Sequence, residues 1–259
     1  MPFAEISGAR LHYSLAGSSA APVLVFSHSL GADLSMWDIQ ANAFSSRFRV
    51  LRCDTRGHGQ SSVTPGPYSI EQLARDVLAL LDALQFPRVH FCGLSMGGQI
   101  GQWLGIHAAD RLGKLVLCNT GAKIGTADGW KTRIETVRSQ GMKEVAPAVL
   151  ARWFTPAYRE KDPQTVAAIR HIMESMNPEG YIACCAAVCD FDSRASLSLI
   201  RTPTLVIAGA HDASTPPSDG RSLAERIPGA RYAELDAAHL SNIEDRDRFN
   251  LELANFLAA

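Results

Sequence analysis

The chain has 259 residues, 46% of them hydrophobic, which suits one large α/β domain with a substantial buried core and excludes a disordered protein. Because there are 25 basic and 26 acidic residues, the net charge of -1 gives no field to attract nucleic acid or an anionic membrane, and we expect neither as a partner. The amino-terminal residues lack the basic and apolar regions of a secretory signal, and no apolar run reaches membrane-spanning length. We therefore expect a soluble cytoplasmic protein.

The predicted secondary structure alternates between strands and helices along most of the chain. Short apolar runs rich in β-branched and aromatic residues predict strands, and apolar residues three and four apart predict helices. The strands are expected at residues 3–7 and 10–15, which form a hairpin, and at 22–27, 49–53, 89–92, 114–118, 204–209 and 231–235. The main helices are expected at 68–85, capped by Ser69, and at 100–107, 218–227 and 248–257.

Residues 121–197 interrupt this alternation. They show no buried-strand pattern, and their helix-like stretches carry Trp130, Trp153 and three of the six methionines, Met142, Met173 and Met176. Methionine and aromatic side chains are adaptable and commonly line small-molecule pockets. We therefore expect a helical cap at 121–197, inserted into an α/β core that residues 1–120 and 198–259 form together.

The six cysteines predict neither disulfides nor a metal site. In a reducing compartment, cysteines in apolar segments behave as small buried hydrophobic residues. Cys184, Cys185 and Cys189 share one segment, but they lack the spacing and the fourth ligand of a zinc site. Because the chain also has no glycine-rich phosphate loop, we expect no metal and no cofactor.

A Gly-x-Ser-x-Gly pattern stands between a predicted strand and a predicted helix. Its residues are Gly93, Ser95 and Gly97. Small residues on both sides of the serine allow a sharp turn that holds the hydroxyl in the open, as a nucleophile requires. The unpaired N–H groups at the start of the next helix favour negative charge beside it. The pattern predicts that Ser95 is a nucleophile.

A serine hydroxyl reacts only when a base takes its proton, and His239 is the candidate base. It follows the last predicted strand, at the end of the sheet where a loop can reach Ser95. The glycine-containing turn that carries His58 precedes the nucleophile, and we interpret it as structural, with Asp54 and Arg56 supporting each other.

The acid that orients the base is predicted to be Asp212. It follows the strand at 204–209, so the order is serine, acid, histidine, as expected with this type of turn. Asn119 ends an earlier strand but is not a carboxylate. Asp236 stands too close before the histidine, and Asp219 belongs to the start of a helix, where a capping role explains it.

Attack by the serine creates an oxyanion, and two backbone N–H groups are candidates to stabilise it. One belongs to Met96, directly after the nucleophile, and the other to Leu30, in a glycine-containing loop after the third strand. Each such donor is typically worth ~3 kcal/mol in the transition state. The alternative interpretation of the loop that carries Leu30 is an ordinary strand-to-helix turn.

With these residues in place, the chain resembles the α/β-hydrolase family over its whole length, and within it the 3-oxoadipate enol-lactonases, also called β-ketoadipate enol-lactone hydrolases. The segments that carry the resemblance are 28–31 with 36–38, 93–104, 118–120 with 122–125, 152–156, 215–217 and 237–244. The chain departs from the family at His28 and Ser29, where many members have His-Gly.

The resemblance implies an α/β-hydrolase fold, a mostly parallel eight-stranded sheet flanked by helices with an inserted helical cap. It also implies hydrolysis of 3-oxoadipate enol-lactone to 3-oxoadipate, through an acyl-enzyme, in the β-ketoadipate pathway. This substrate is a small anionic lactone, and its carboxylate requires a cation. We expect Arg133 to bind it and Trp130 or Trp153 to wall the ring, since Trp130 and Arg133 share a helix face while Arg152 points differently from Trp153. A solvated surface arginine is the alternative.

Other functions fit the same candidate residues. A carboxylesterase of broad range and a C–C bond hydrolase of ring-cleavage products both use a serine triad under a helical cap. A small-molecule receptor that keeps the pocket but has little turnover is a third candidate, from a different class of protein. The complete set of Ser95, Asp212 and His239 favours an enzyme.

Overall fold

A sheet of eight strands organises the chain in the computed structural model, which describes residues 2–6 and 8–258. The strand order across the sheet is β1-β2-β4-β3-β5-β6-β7-β8. The strands β1 and β2 are antiparallel to each other, and β2 is antiparallel to β4, whereas every other neighbouring pair is parallel. The strands are β1 (Phe3–Ile6), β2 (Ala9–Ala16), β3 (Val23–Ser27), β4 (Arg49–Cys53), β5 (Val89–Leu94), β6 (Leu112–Cys118), β7 (Thr204–Gly209) and β8 (Arg231–Leu235).

This sheet confirms the predicted α/β-hydrolase architecture and the eight predicted strands. The amino-terminal hairpin is present, although Ser7, the last residue of its first predicted strand, lies outside the described residues. The main difference is at β5, which continues through Gly93 to Leu94 instead of ending at Cys92. Gly93 still pairs with both neighbouring strands, so the turn begins only at Ser95.

The helices fall into two groups. Those that alternate with the strands are α1 (Asp38–Phe44), α2 (Ile70–Ala83), α3 (Met96–His107), α9 (Pro217–Arg226), α10 (Ser241–Glu244) and α11 (Arg246–Ala258). Those between β6 and β7, called here the helical segment, are α4 (Ala127–Gln140), α5 (Met142–Trp153), α6 (Pro156–Lys161), α7 (Pro163–Glu174) and α8 (Pro178–Asp190). None of the helices in the described part of the chain combines the length and the apolar character needed to cross a membrane.

Local sequence explains where these helices begin and which face is buried. The hydroxyl of Ser69 accepts a hydrogen bond of 3.1 Å from the Gln72 amide, as predicted for the cap of α2. Inside the helical segment, α4 packs on α5 and α8, and α5 packs on α7. Most of its large apolar side chains are buried, and they belong to the same hydrophobic core as the side chains of the sheet.

The glycine-containing turn after β4 is a buried polar network, but its pairs differ from the prediction. We expected Asp54 and Arg56 to support each other. Instead, the Asp54 carboxylate lies 2.6 Å from Nδ1 of His12, and the Arg56 guanidinium binds both oxygens of Asp76 at 2.6 and 2.7 Å. His12 and Asp76 belong to distant parts of the chain, and burial requires each charge to have a close partner.

The turn between β5 and α3 requires backbone segments to approach very closely. Ser95 has a φ of 59°, a left-handed conformation that non-glycine residues rarely adopt. A side chain at Gly93 would lie well under 3.0 Å from the carbonyl of Gly97, and one at Gly97 would lie equally close to the carbonyl of Ser27. The start of α3 therefore packs directly on the end of β3 because no side chain separates them.

We predict that Gly97→Ala lowers the free energy of unfolding by about 1–3 kcal/mol or more, because the added methyl group must push the start of α3 away from β3. Denaturant-induced unfolding measures the change. Gly129→Ala in α4 is the control: its methyl group would meet only the Thr126 hydroxyl, at 3.2 Å, and alanine favours a helix. Equal midpoints for the two variants would contradict the close packing described here.

Candidate active site

The candidate residues lie at the carboxyl ends of neighbouring parallel strands. Ser95 follows β5, Asp212 follows β7 and His239 follows β8. The carboxyl ends of parallel strands lie at the same edge of a sheet, which is where α/β proteins bind ligands. The sheet therefore places these three residues, which are far apart in the sequence, at one edge.

Asp212 and His239 form a buried pair. Nδ1 of His239 lies 2.7 Å from Oδ2 of Asp212, and both side chains are at most 3% exposed. Since a carboxylate only accepts hydrogen bonds, this contact places the proton on Nδ1 and leaves Nε2 as the basic nitrogen. The pair has the geometry by which an acid orients an imidazole base.

Asp212 is ionised because other groups compensate for its burial. Burial by itself would raise the pKa of Asp212, but the charge of His239 and hydrogen bonds from His239 and Thr215 outweigh it, and the pKa lies below its ordinary value. The amides of Ser214 and Thr215 donate to Oδ1 at 2.8 and 3.0 Å, and the Thr215 hydroxyl donates to Oδ2 at 2.7 Å. The turn after Asp212 therefore stabilises its charge.

Asn119 is a residue of this site that the sequence reasoning set aside. Its side-chain amide donates 3.1 Å hydrogen bonds to Oδ2 of Asp212 and to the carbonyl of Ala238, and its oxygen accepts one of 2.6 Å from the Ser241 hydroxyl. Asn119 has a φ of 43°, and it shares positive φ with Ser95. An amide at this position both donates and accepts, so it connects the acid to the loop of His239.

Ser95 and His239 line one cavity of about 390 Å³. These two residues and Leu30 belong to loops and turns that follow strands of the sheet. The helical segment contributes most of the remaining wall. Ser95 is 8% exposed, and its backbone carbonyl accepts a 2.8 Å hydrogen bond from the Thr120 hydroxyl. The serine is thus held firmly at the bottom of a pocket of small-molecule size.

The two candidate oxyanion donors occupy different positions relative to this cavity. Leu30 lines it, whereas Met96 is fully buried at the first position of α3. The first N–H groups of a helix have no partner within the helix, so the Met96 amide is available beside Ser95. Both positions are compatible with donation to an oxygen bound at Ser95.

Two histidines hold the loop that carries Leu30. Nε2 of His28 accepts a 2.9 Å hydrogen bond from the Thr55 amide, and Nε2 of His58 accepts one of 3.1 Å from the Gly31 amide. Burial, and then the neighbouring His28, lower the pKa of His58 to about 3. His58 is therefore neutral and acts as an acceptor, consistent with its predicted structural role.

The helical segment brings two arginines to the cavity. Arg133 and Arg152 both line it, together with Trp130 and Trp153. The guanidinium of Arg133 lies 4.7 Å from the ring centre of Trp130. Arg133 and Trp130 share a helix face, as expected, but Arg152 was expected to point differently from Trp153, and instead both reach the same cavity.

The charges of these arginines are not compensated by acidic groups in the described part of the chain. Within the described residues, neither Arg133 nor Arg152 has a carboxylate at ion-pair distance. Burial, and then the positive charge of Arg133, lower the pKa of Arg152. Two like charges in one half-buried cavity repel each other, and a bound anion would relieve that repulsion.

The rival acids are placed differently from Asp212. Asp236 is exposed and pairs with His211 at 2.7 Å. Asp219 lies in the first turn of α9, and burial, followed by the charge of Asp212, raises its pKa. Neither contacts His239, so Asp212 is the acid that the geometry favours.

Comparison with known proteins supports this description of the fold. A family model described as the alpha/beta hydrolase fold matches residues 22–246. Among curated proteins, 3-oxoadipate enol-lactonase 2 of Acinetobacter baylyi is 45% identical over 240 residues, which are 93% of this chain and 90% of that protein.

Solved structures of two hydrolytic enzymes are also similar to this chain in fold and sequence. The enol-lactonase from Burkholderia xenovorans LB400 is 48% identical, matches with a TM-score of 0.98 and is covered completely, as is this chain. A thermophilic esterase from Thermogutta terrifontis is 29% identical with a TM-score of 0.93, over 100% of this chain and 98% of that one.

We predict that stability falls with decreasing pH because of His58. An unfolded histidine has a pKa near 6.5, whereas that of His58 is about 3. Between these values the unfolded chain binds more protons, so the folded state loses stability as the pH falls from 6.5 toward 3. His58→Gln keeps an acceptor for the Gly31 amide and should flatten this slope by about 1 kcal/mol per pH unit.

The measurement is the free energy of unfolding at several pH values between about 5 and 6.5, a range above the ordinary pKa of carboxylates. His171→Gln is the control, because it removes an exposed histidine of α7 in place of the buried His58. Wild-type slopes in both variants would show that folding does not lower the pKa of His58.

Proposed function

This chain belongs to the α/β-hydrolase family, and from that premise we propose that it hydrolyses 3-oxoadipate enol-lactone to 3-oxoadipate, a step of the β-ketoadipate pathway of aromatic catabolism. Relatives that bear the enol-lactonase name support an ester as the substrate class. The residues proposed to carry the reaction are Ser95, His239 and Asp212.

In the first step, Oγ of Ser95 bonds to the lactone carbonyl carbon while Nε2 of His239 takes the hydroxyl proton. Asp212 keeps the imidazole in the required tautomer and stabilises the imidazolium. The ring C–O bond then breaks, and the departing enol oxygen receives the proton from His239. The enol becomes a ketone, and the acyl group remains on Ser95.

In the second step, His239 removes a proton from water, which attacks the acyl-enzyme. The bond between the acyl carbon and Oγ then breaks, and Ser95 takes from His239 the proton that the water gave up. The product leaves as the acid and releases its remaining proton to solvent. The amides of Met96 and Leu30 are the proposed donors to the oxyanion that forms in each step. No metal or cofactor enters this sequence of bond changes.

The observation that carries the proposal is the charge of the cavity. Ser95 and His239 lie on one side of it, and Arg133 and Arg152 line it from the helical segment. A neutral ester would leave both guanidinium groups without a counter-charge, whereas the lactone brings a carboxylate. Arg133 is the proposed carboxylate ligand, Arg152 the second cation, and Trp130 and Trp153 the walls for the ring.

The helical segment is accordingly proposed to act as the cap, with limits at 121–197 as expected from the sequence. The substrate is proposed to lie between the arginines of the cap and the Ser95 and His239 side chains at the edge of the sheet. The ring of Trp153 lies nearly parallel to that of His239, with centres 6.4 Å apart, so the cap packs against the proposed base.

We predict that Ser95→Ala abolishes turnover of the lactone, because the variant lacks the hydroxyl proposed to attack the lactone carbonyl. The substrate is generated fresh, and its loss is followed by its ultraviolet absorbance. A simple activated ester serves as the control substrate. Hydrolysis of that ester without any turnover of the lactone, in the unmodified protein, would overturn the lactone as substrate and favour a carboxylesterase.

We predict that Arg133→Ala lowers kcat/KM for the lactone by an amount equivalent to about 2–5 kcal/mol, because the substrate carboxylate loses a desolvated partner. The same variant should hydrolyse a neutral activated ester almost normally. Lys131→Ala, at an exposed position of α4, is the matched control and should leave both rates unchanged. An unchanged kcat/KM for the lactone in Arg133→Ala would remove Arg133 from the site.

A further inference from the structure

Glu244 lies at the junction between the helical segment and the loop that carries His239. Its Oε2 accepts a 2.9 Å hydrogen bond from the Ala238 amide, directly before His239. Its Oε1 accepts from both the amide and the hydroxyl of Thr155, which begins α6; the amide bond is 3.2 Å long. One carboxylate therefore joins two parts of the chain that lie 89 residues apart.

Further contacts strengthen the same junction. The Leu240 amide donates a 3.1 Å hydrogen bond to the carbonyl of Trp153. The peptide groups of Ala238 are held on both sides, because Asn119 donates to its carbonyl and Glu244 accepts from its amide. The residues before and after His239 are thus each tied to another element, while the imidazole itself is held by Asp212.

The chemistry of the junction requires a carboxylate. All three groups that face Glu244 are donors, and an ionised carboxylate can accept from all of them without offering a proton of its own. A glutamine would present an amide N–H group to at least one donor. The partly buried position makes each unmet donor costly, so the interaction specifies this residue type.

We propose that Glu244 is a positioning residue, which fixes the His239 loop against the cap so that the imidazole is held in line with Ser95. This inference rests on the proposed roles of Ser95 and His239, but not on the identity of the substrate. Glu244 does not line the cavity that contains Ser95. It acts through Ala238 and Thr155, and its effect is on the geometry of proton transfer.

The consequence is a loss of kcat that is the same for different substrates. A base displaced by a fraction of an ångström slows proton transfer, whereas the arginines that bind an anion are unaffected. We expect Glu244→Gln to lower kcat by about 10- to 100-fold for both the lactone and a neutral activated ester, with KM changed less than about twofold. A change in carboxylate binding would instead raise KM for the lactone alone.

Thr155→Val gives a second, milder variant that tests the same junction from the other side. It removes the hydroxyl donor but keeps the Thr155 amide, so we expect a smaller loss of kcat. If the two residues act as one unit, the double variant Thr155→Val with Glu244→Gln should lose less than the product of the separate effects. Glu252→Gln in α11 is the matched control, since Glu252 pairs only with Arg248 one turn away among the ion pairs of the described residues.

The spectroscopic test is independent of turnover. The proton shared by Nδ1 of His239 and Asp212 should give a low-field proton NMR resonance, and Glu244→Gln should shift or broaden it while Glu252→Gln does not. A shifted resonance with reduced kcat at unchanged KM supports the proposal. Wild-type kcat and an unchanged resonance in Glu244→Gln would overturn it, as would a loss of activity that matches only the loss of folded protein.

The test of Glu244 can be distinguished from the tests of the proposed substrate and nucleophile. If the unmodified protein hydrolyses the activated ester but not the lactone, the proposed substrate fails, and the ester still measures the effect of Glu244. If Ser95→Ala retains the ester activity, the proposed nucleophile fails, and the NMR resonance still reports on the position of His239.

Discussion

The close approach of backbone segments around Ser95 is the constraint on which the site depends. The left-handed conformation of Ser95 persists only because α3 packs directly on β3, which requires Gly93 and Gly97 to have no side chain. The same packing aims the start of α3 at the serine and places the Met96 amide beside it. A strained turn of this kind is stable only when the surrounding structure holds the backbone in place. The buried strands on either side of the turn do so.

The second requirement is a buried charge that is fully compensated. Asp212 is ionised at the edge of the sheet because His239, Asn119 and the turn at Thr215 supply donors to both of its oxygens. An unpaired carboxylate at this depth would take up a proton and could no longer orient an imidazole. The polar network therefore determines both the protonation state of the acid and the direction of the base.

The two arginines that line the cavity both come from one part of the chain, the helical segment. The sheet supplies neutral groups and an acid already matched to His239, whereas the helical segment supplies two arginines without acidic partners among the described residues. The two parts share one hydrophobic core, so the faces of the cavity are held against each other by apolar packing as well as by polar contacts. Glu244 adds a polar contact at their junction, where it accepts hydrogen bonds from Thr155 of the helical segment and from Ala238, beside His239.

Local pattern determined the strands, four of the helices, the turn at Ser95 and the order of Ser95, Asp212 and His239, since periodicity and glycine spacing act over a few residues. Only the tertiary structure decided which side chains meet. It paired Asp54 with His12 across 42 residues, placed Asn119 on Asp212 across 93, and brought Arg152 into the cavity. Such partners are chosen by burial and by the need to satisfy every polar group, and these depend on how the whole chain packs.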